Sequence, residues 1–256
     1  MTRYLSIVQP YVPEYRKRFF EMLIEALEPA DVRLTVVTTA MGAEERLRGD
    51  AIAASWVHHA HPRSISLGRR RLVVTSTLAT WRDADAVIVP VMGTAIDTYV
   101  ALAASRPKRV GLWGHVASYV APESRIDRAL ERLQMRAADH VFAYTIGGAR
   151  AAMAAGVETG RVTAVMNSLD TAPLLEDIAN ISDEARASFT QTFAPNGQRL
   201  FSFIGGIDAS KRISFLARSL EELHAMGSPV RVLVGGRGAQ EGLLSAAVER
   251  GQVVML

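Results

Sequence analysis

Two stretches carry residue types and spacings suited to phosphate chemistry. Phe201–Lys211 reads FSFIGGIDASK, and Val232–Gly238 reads VLVGGRG. Each is a short apolar, strand-like run that enters a glycine turn. Lys211 and Arg212 follow the first turn at the start of a helix-like segment. Glycines let backbone N–H groups approach an anion, a helix N-terminus favours negative charge, and lysine adds a point cation. A diphosphate cradle at Gly205, Gly206 and Lys211 is one reading. A tight strand-to-helix turn with a solvated lysine is the other. Gly236 and Gly238, with Gly242, suggest a nucleotide fingerprint, but the acidic residue such a fingerprint needs about 20 residues further on falls past Leu256. Close helix–strand packing accounts for the same glycines.

Further polar groups invite chemistry. His115 follows the apolar run 109–113 and Gly114, which places it where a parallel sheet would present functional residues. A histidine there can hydrogen-bond a sugar hydroxyl or stabilise developing charge, or it can simply cap the following turn. His58, His59 and His61 lack the i, i+4 helical spacing or nearby carboxylates of a metal site, so a surface loop is expected. Asp83 and Asp85 resemble a metal-holding Asp-x-Asp pair, but a helix-to-strand turn explains them fully, and no metal is expected there. Arg16-Lys17-Arg18 reads as the solvated side of a helix with Phe19, Phe20 and Leu23 on another side, and Arg69-Arg70-Arg71 as a loop. Both basic runs could meet an anionic lipid surface. Neither interleaves with aromatic residues as a nucleic-acid platform requires, so no nucleic acid is expected.

The elements that must position these groups alternate along the chain. Strand-like runs at 4–9, 32–39, 72–75, 86–91, 109–113, 141–144 and 162–166 are apolar nearly throughout. They alternate with helix-like segments at 14–27, 94–105, 124–138 and 147–154. That pattern predicts a parallel sheet covered on both faces, with function at the carboxyl ends of its strands. Residues 1–172 form a first Rossmann-like domain on this reading. Residues 173–198, with Pro173 and Pro195-Asn196-Gly197, read as a linker holding a short helix at 183–193. Residues 199–256 begin a second α/β domain, and 58 residues leave it incomplete.

Composition excludes several classes. Of 256 residues 49% are hydrophobic and 21% charged, which suits a globular chain rather than a disordered one. There is no cysteine, hence neither disulfide nor thiol nucleophile. The formal net charge is only +3. The apolar run 4–8 is too short for a signal peptide, and Pro90 and Asp97 break the apolar window 86–104. A cytoplasmic protein, peripheral at the inner face of the membrane, fits these features.

Taken in order, several stretches resemble glycosyltransferase family 4. They are QPYVPEYR with Phe19-Phe20, LWGH at 112–115, RAADHVFAYTIGGARAAMAAGV at 136–157, RVTAVMNSLDT at 161–171, and the two glycine turns. The resemblance implies the α/β GT-B architecture, with an N-terminal acceptor-side domain and a C-terminal nucleotide-sugar domain. It implies sugar transfer from a nucleotide sugar to a hydroxyl of a glycan or lipid-linked acceptor, in polysaccharide or glycolipid biosynthesis. Retention at the anomeric carbon, no metal and no cofactor are implied with it. By position, Tyr11, Tyr15 and Arg16 would lie near the acceptor and His115 would face the donor sugar. Gly205, Gly206, Lys211, Arg212, Gly236 and Gly238 would meet the donor. Two departures stand out. Gly206 occupies the place of the family's arginine, and the family's glutamate-rich donor motif has no counterpart before Leu256. A truncated donor domain with little or no catalysis of its own is the expectation. A non-catalytic binding protein, half of a split enzyme, and a nucleotide-sugar epimerase are the alternatives.

Overall fold

The computed structural model describes residues 1–256 apart from 40, 42, 61, 68, 69, 76, 105, 106, 108 and 117–123. At 43–45, 62–67 and 70–75 it describes the backbone alone. The chain divides into two compact units, residues 1–40 with 51–170 and residues 41–50 with 171–256.

In the first unit, β1 (Arg3–Gln9) leads through α1 (Lys17–Leu27) to β2 (Val32–Thr38). The next helix, α2 (Ala43–Arg48), groups with the second unit. The first unit resumes with β3 (Val57–His59), β4 (Pro62–Leu67), β5 (Arg70–Thr75), α3 (Leu78–Trp81), β6 (Ala86–Pro90) and α4 (Ile96–Ala103). It ends with β7 (Arg109–Gly114), α5 (Arg125–Ala137), β8 (His140–Ala143), α6 (Ile146–Ala154) and β9 (Val162–Ala164). Seven strands form one sheet in the order β3-β2-β1-β6-β7-β8-β9, every pair parallel. The order reverses between β1 and β6, and such a switch opens a crevice at the strands' carboxyl ends.

Both sheet faces are covered, which is why the strands are apolar on both sides. One face packs Val8, Val87, Val89 and Leu112 against Trp81, Ala101, Met135 and Ala152 of α3, α4, α5 and α6. The other packs Ile7, Val36 and Trp113 against Phe20 of α1. Helix starts follow their caps: Thr145 accepts from the Gly148 N–H at 3.0 Å to open α6.

Some expectations are corrected here. The run 72–75 lies in β5, which pairs antiparallel with β4 as a separate hairpin instead of joining the parallel sheet. Arg70 and Arg71 therefore sit in a strand, not a loop, and Arg69 lies outside the described residues. His58 and His59 belong to the edge strand β3, where His59 Nδ1 and Thr38 Oγ1 are 2.7 Å apart, and His61 lies outside the described residues. Asp83 and Asp85, by contrast, lie in the expected turn between α3 and β6, and the Asp85 carboxylate accepts from the Tyr4 N–H at 3.0 Å, at the amino end of β1 and away from the crevice.

In the second unit, α7 (Ala172–Ala179) and α8 (Asp183–Phe193) precede β10 (Arg199–Ile204), α9 (Ile213–Ala225), β11 (Val230–Gly235), α10 (Ser245–Glu249) and β12 (Val253–Met255). The three strands are parallel in the order β10-β11-β12. Alternate residues Val230, Val232 and Val234 pack with Ile213 and Leu220 of α9 and Ala247 of α10, so both helices cover one face. No described helix is long and apolar enough to cross a membrane.

Candidate functional site

The carboxyl ends of the first unit's central strands gather a polar cluster around one buried cation. Arg16 ends the single turn Glu14–Arg16 before α1 and is only 9% exposed. It lies one helical turn before Phe20, on the inward side of α1. The expectation of a fully solvated basic run is thus corrected. Lys17 and Arg18 are exposed, and Arg18 pairs with Glu25 at 2.9 Å, whereas Arg16 points inward.

Arg16 Nη1 donates to the Tyr144 hydroxyl at 2.9 Å and Nη2 to Asn167 Oδ1 at 2.6 Å. Its guanidinium lies 4.8 Å from the Tyr144 ring centroid, 5.6 Å from Trp113 and 5.7 Å from Tyr15. No carboxylate among the described residues pairs with it. Aromatic faces supply part of the missing compensation, up to about 2 kcal/mol for a desolvated contact. A buried charge normally needs a counter-ion as well.

His115 follows β7 and sets its ring 4.6 Å from the Tyr144 ring. Burial pushes the imidazole below its ordinary value, and the Arg16 charge pushes the same way. The following residue, Val116, is held at φ 66°, a strained conformation for a β-branched side chain. A Cβ on Gly148 would come within 2.6 Å of the His115 carbonyl, so that glycine lets the start of α6 abut the His115 turn. In the turn after β9, Met166 and Asn167 are both left-handed (φ 61° and 40°), and this turn brings Asn167 to Arg16. Backbone strain of this kind persists where surrounding structure holds it and clusters at functional sites.

Tyr15 is exposed and Tyr11 half-buried. The first unit therefore brings Arg16, Tyr15 and His115 into one neighbourhood. Sequence reasoning missed Trp113, Tyr144 and Asn167 as their partners. The available signal was the 16, 20, 23, 27 spacing, which puts Arg16 on the apolar side of its helix.

In the second unit, the two glycine turns lie against each other. The Gly205 N–H donates to the Gly235 carbonyl at 2.9 Å and the Ile207 N–H to the Arg237 carbonyl at 3.0 Å. A Cβ on Gly236 would fall 1.9 Å from the Gly205 carbonyl oxygen, and one on Gly238 2.2 Å from that of Ile207. Close backbone approach between turns thus accounts for both glycines. Gly205 differs: its φ is 150° and nothing crowds its missing Cβ.

Asp208 anchors the first turn. It accepts from the Ser210 N–H at 2.9 Å and hydroxyl, and its other oxygen meets Arg48 Nη2 at 2.9 Å. Burial alone would raise this carboxyl, but the Ser210 and Arg48 hydrogen bonds together outweigh it and hold the group below its ordinary value. Arg48 of α2 also lies over Gly206, its Nε 2.8 Å from where a Cβ would stand. Beyond this anchor Lys211 and Arg212 are exposed, with no ion-pair partner among the described residues. Arg212 is left-handed (φ 54°) as α9 begins.

No protein-family model and no curated protein matches the chain. Solved structures match across its whole length. HepE of Anabaena in complex with UDP is 16% identical with a TM-score of 0.59, covering 100% of this chain and 69% of that one. The fold is GT-B-like. UDP-GlcNAc 2-epimerase of Neisseria meningitidis bound to UDP-GlcNAc is 15% identical (TM-score 0.57), covering 100% of this chain and 72% of that one. A glycosyltransferase of Rickettsia africae is 11% identical (TM-score 0.59), covering 100% and 68%.

Proposed function

We propose that the chain is a sugar-nucleotide enzyme, and specifically a glycosyltransferase of the family 4 type. The observation that carries this reading is the pair of exposed cations, Lys211 and Arg212, unpaired among the described residues at the carboxyl end of β10. They stand in a fold shared with proteins that hold UDP or UDP-sugars. In the reaction, an acceptor hydroxyl oxygen bonds to the anomeric carbon and the bond from that carbon to the diphosphate oxygen breaks. The diphosphate leaves with the electron pair and takes up the hydroxyl proton. Lys211 and Arg212 stabilise the charge that grows on it, with Gly205 and Gly206 giving backbone access. His115, neutral near pH 7, hydrogen-bonds the donor sugar. Tyr11, Tyr15 and Arg16 face the acceptor, a glycan or lipid-linked sugar, and the configuration is retained without metal.

Epimerisation is the second reading, favoured by the likeness to UDP-GlcNAc 2-epimerases. One experiment separates the two. The folded chain is incubated with UDP-glucose or UDP-GlcNAc, with and without a glycan acceptor, and products are followed by mass spectrometry and NMR. Acceptor-dependent UDP release with a new glycoside is expected. A 2-epimer formed without acceptor would establish the epimerase instead.

A further inference from the structure

Two buried hydrogen-bond donors at the switch-point edge of the first unit, on Gln9 and Trp113, lack acceptors, and a buried guanidinium lines the same cavity as Trp113. Arg16 spends its guanidinium on Tyr144 and Asn167 and keeps further N–H groups with no carboxylate near. Trp113 is 7% exposed, and its Nε1–H is buried without a partner. Gln9 is 4% exposed, and its Nε2 is likewise buried without a partner. The sheet register relates the last two. Ile7 lies opposite Ile88, so Gln9 falls level with Pro90, which lies opposite Trp113. Gln9 and Trp113 thus share a face and a level, two strand spacings or roughly 10 Å apart. A cavity of about 10 Å³ is lined by Arg16, Phe19, Trp113, Val165, Asn167 and Ser168, so that Trp113 borders it and Gln9 does not. It has room for one oxygen atom, about the size of a water. Phe19 and Val165 give it apolar walls, which strengthen any charge interaction inside.

Leaving a buried donor unmade costs about 1–3 kcal/mol, and a buried cation without a counter-ion costs more. An unpaired indole N–H that shares a cavity with an unbalanced guanidinium calls for an acceptor carrying negative charge. A neutral hydroxyl would satisfy the N–H groups but leave the charge uncompensated. We propose that Arg16 and Trp113 form an oxyanion site that takes a carboxylate or phosphate oxygen of the acceptor, so that the acceptor is anionic. The word acceptor rests on the transferase reading, whereas the anion site itself does not.

The indole Nε1–H of Trp113 reports directly on this site. Its NMR resonance is identified by its loss in Trp113→Phe. It is then followed while inorganic phosphate or acetate is added at constant ionic strength. A saturable shift is expected in the native chain, weakened at least tenfold in Arg16→Lys, with the Trp56 and Trp81 resonances marking an intact fold. Saturation by phosphate would point to a phosphorylated acceptor, and saturation by acetate to an acidic sugar. A second variant, Asn167→Asp, supplies an internal carboxylate to Arg16; it should abolish anion binding and raise the melting temperature. No saturable shift with either anion, or an undiminished one in both Arg16→Lys and Asn167→Asp, would overturn the proposal. UDP binding by the same samples is scored separately. Its absence would remove the transferase reading and leave the anion site standing.

Discussion

Arg16 and Tyr144 stand 128 residues apart in sequence, yet the guanidinium donates to the phenol at 2.9 Å and lies 4.8 Å from its ring centroid. This contact ties the start of α1 to the end of β8. It also places a positive charge near the imidazole that packs on the other partner of the pair, since His115 lies 4.6 Å from Tyr144, ring to ring.

The titration of His115 should reveal that arrangement. Burial and the Arg16 charge both lower its folded-state value from 6.5. The folded chain therefore binds this proton less readily than the unfolded one. The stabilisation from a neutral His115 is full above pH 6.5 and is lost as pH falls through the lower folded value. Arg16→Gln removes one of the two causes. NMR titration should place His115 below 6.5 in the native chain and higher in the variant. An unchanged value would mean that Arg16 does not act on the imidazole.

The glycines of the second unit should differ sharply in tolerance. Gly236→Ala places a Cβ 1.9 Å from the Gly205 carbonyl oxygen at φ 141°, so the two turns must separate. A loss of about 2–4 kcal/mol is expected. Gly242→Ala meets no atom within 4 Å and should stay within about 0.5 kcal/mol. Urea unfolding of both variants checks the contrast.

Asp208 should make the second unit sensitive to acid. Its carboxyl is held below the ordinary value, so its contribution is present above the unfolded value of about 3.9 and is lost as pH falls through the folded one. Asp208→Asn removes the Arg48 pair and weakens the acceptor that opens the turn, at a cost of about 1–2 kcal/mol at neutral pH. The gap between variant and native chain should close toward acid pH, as thermal melts across pH 3–7 would reveal.

Much of the fold was legible because buried parallel strands must be apolar on both faces. β1, β2, β6 and β7 announce themselves by that run, and α8 lies where the sequence put it, at Asp183–Phe193. The hairpin β4–β5 was not, since an antiparallel strand reads like any other short apolar run and its partner is fixed only by pairing. The site was half legible. Lys211 and His115 are placed by strand ends alone. The role of Gly236 and Gly238 depends on what the neighbouring turn brings close, and the pairing of Arg16 with Tyr144 and Asn167 depends on three strands meeting at one edge. Neither is encoded in local spacing.

Calorimetric titration of the folded chain with UDP, beside Lys211→Ala, tests the central claim most directly. Binding of one UDP per chain is expected, weakened roughly tenfold or more when the charge-assisted contact of Lys211 is removed. A folded chain that binds no UDP, or a Lys211→Ala variant that binds it as well as the native chain, would contradict the account.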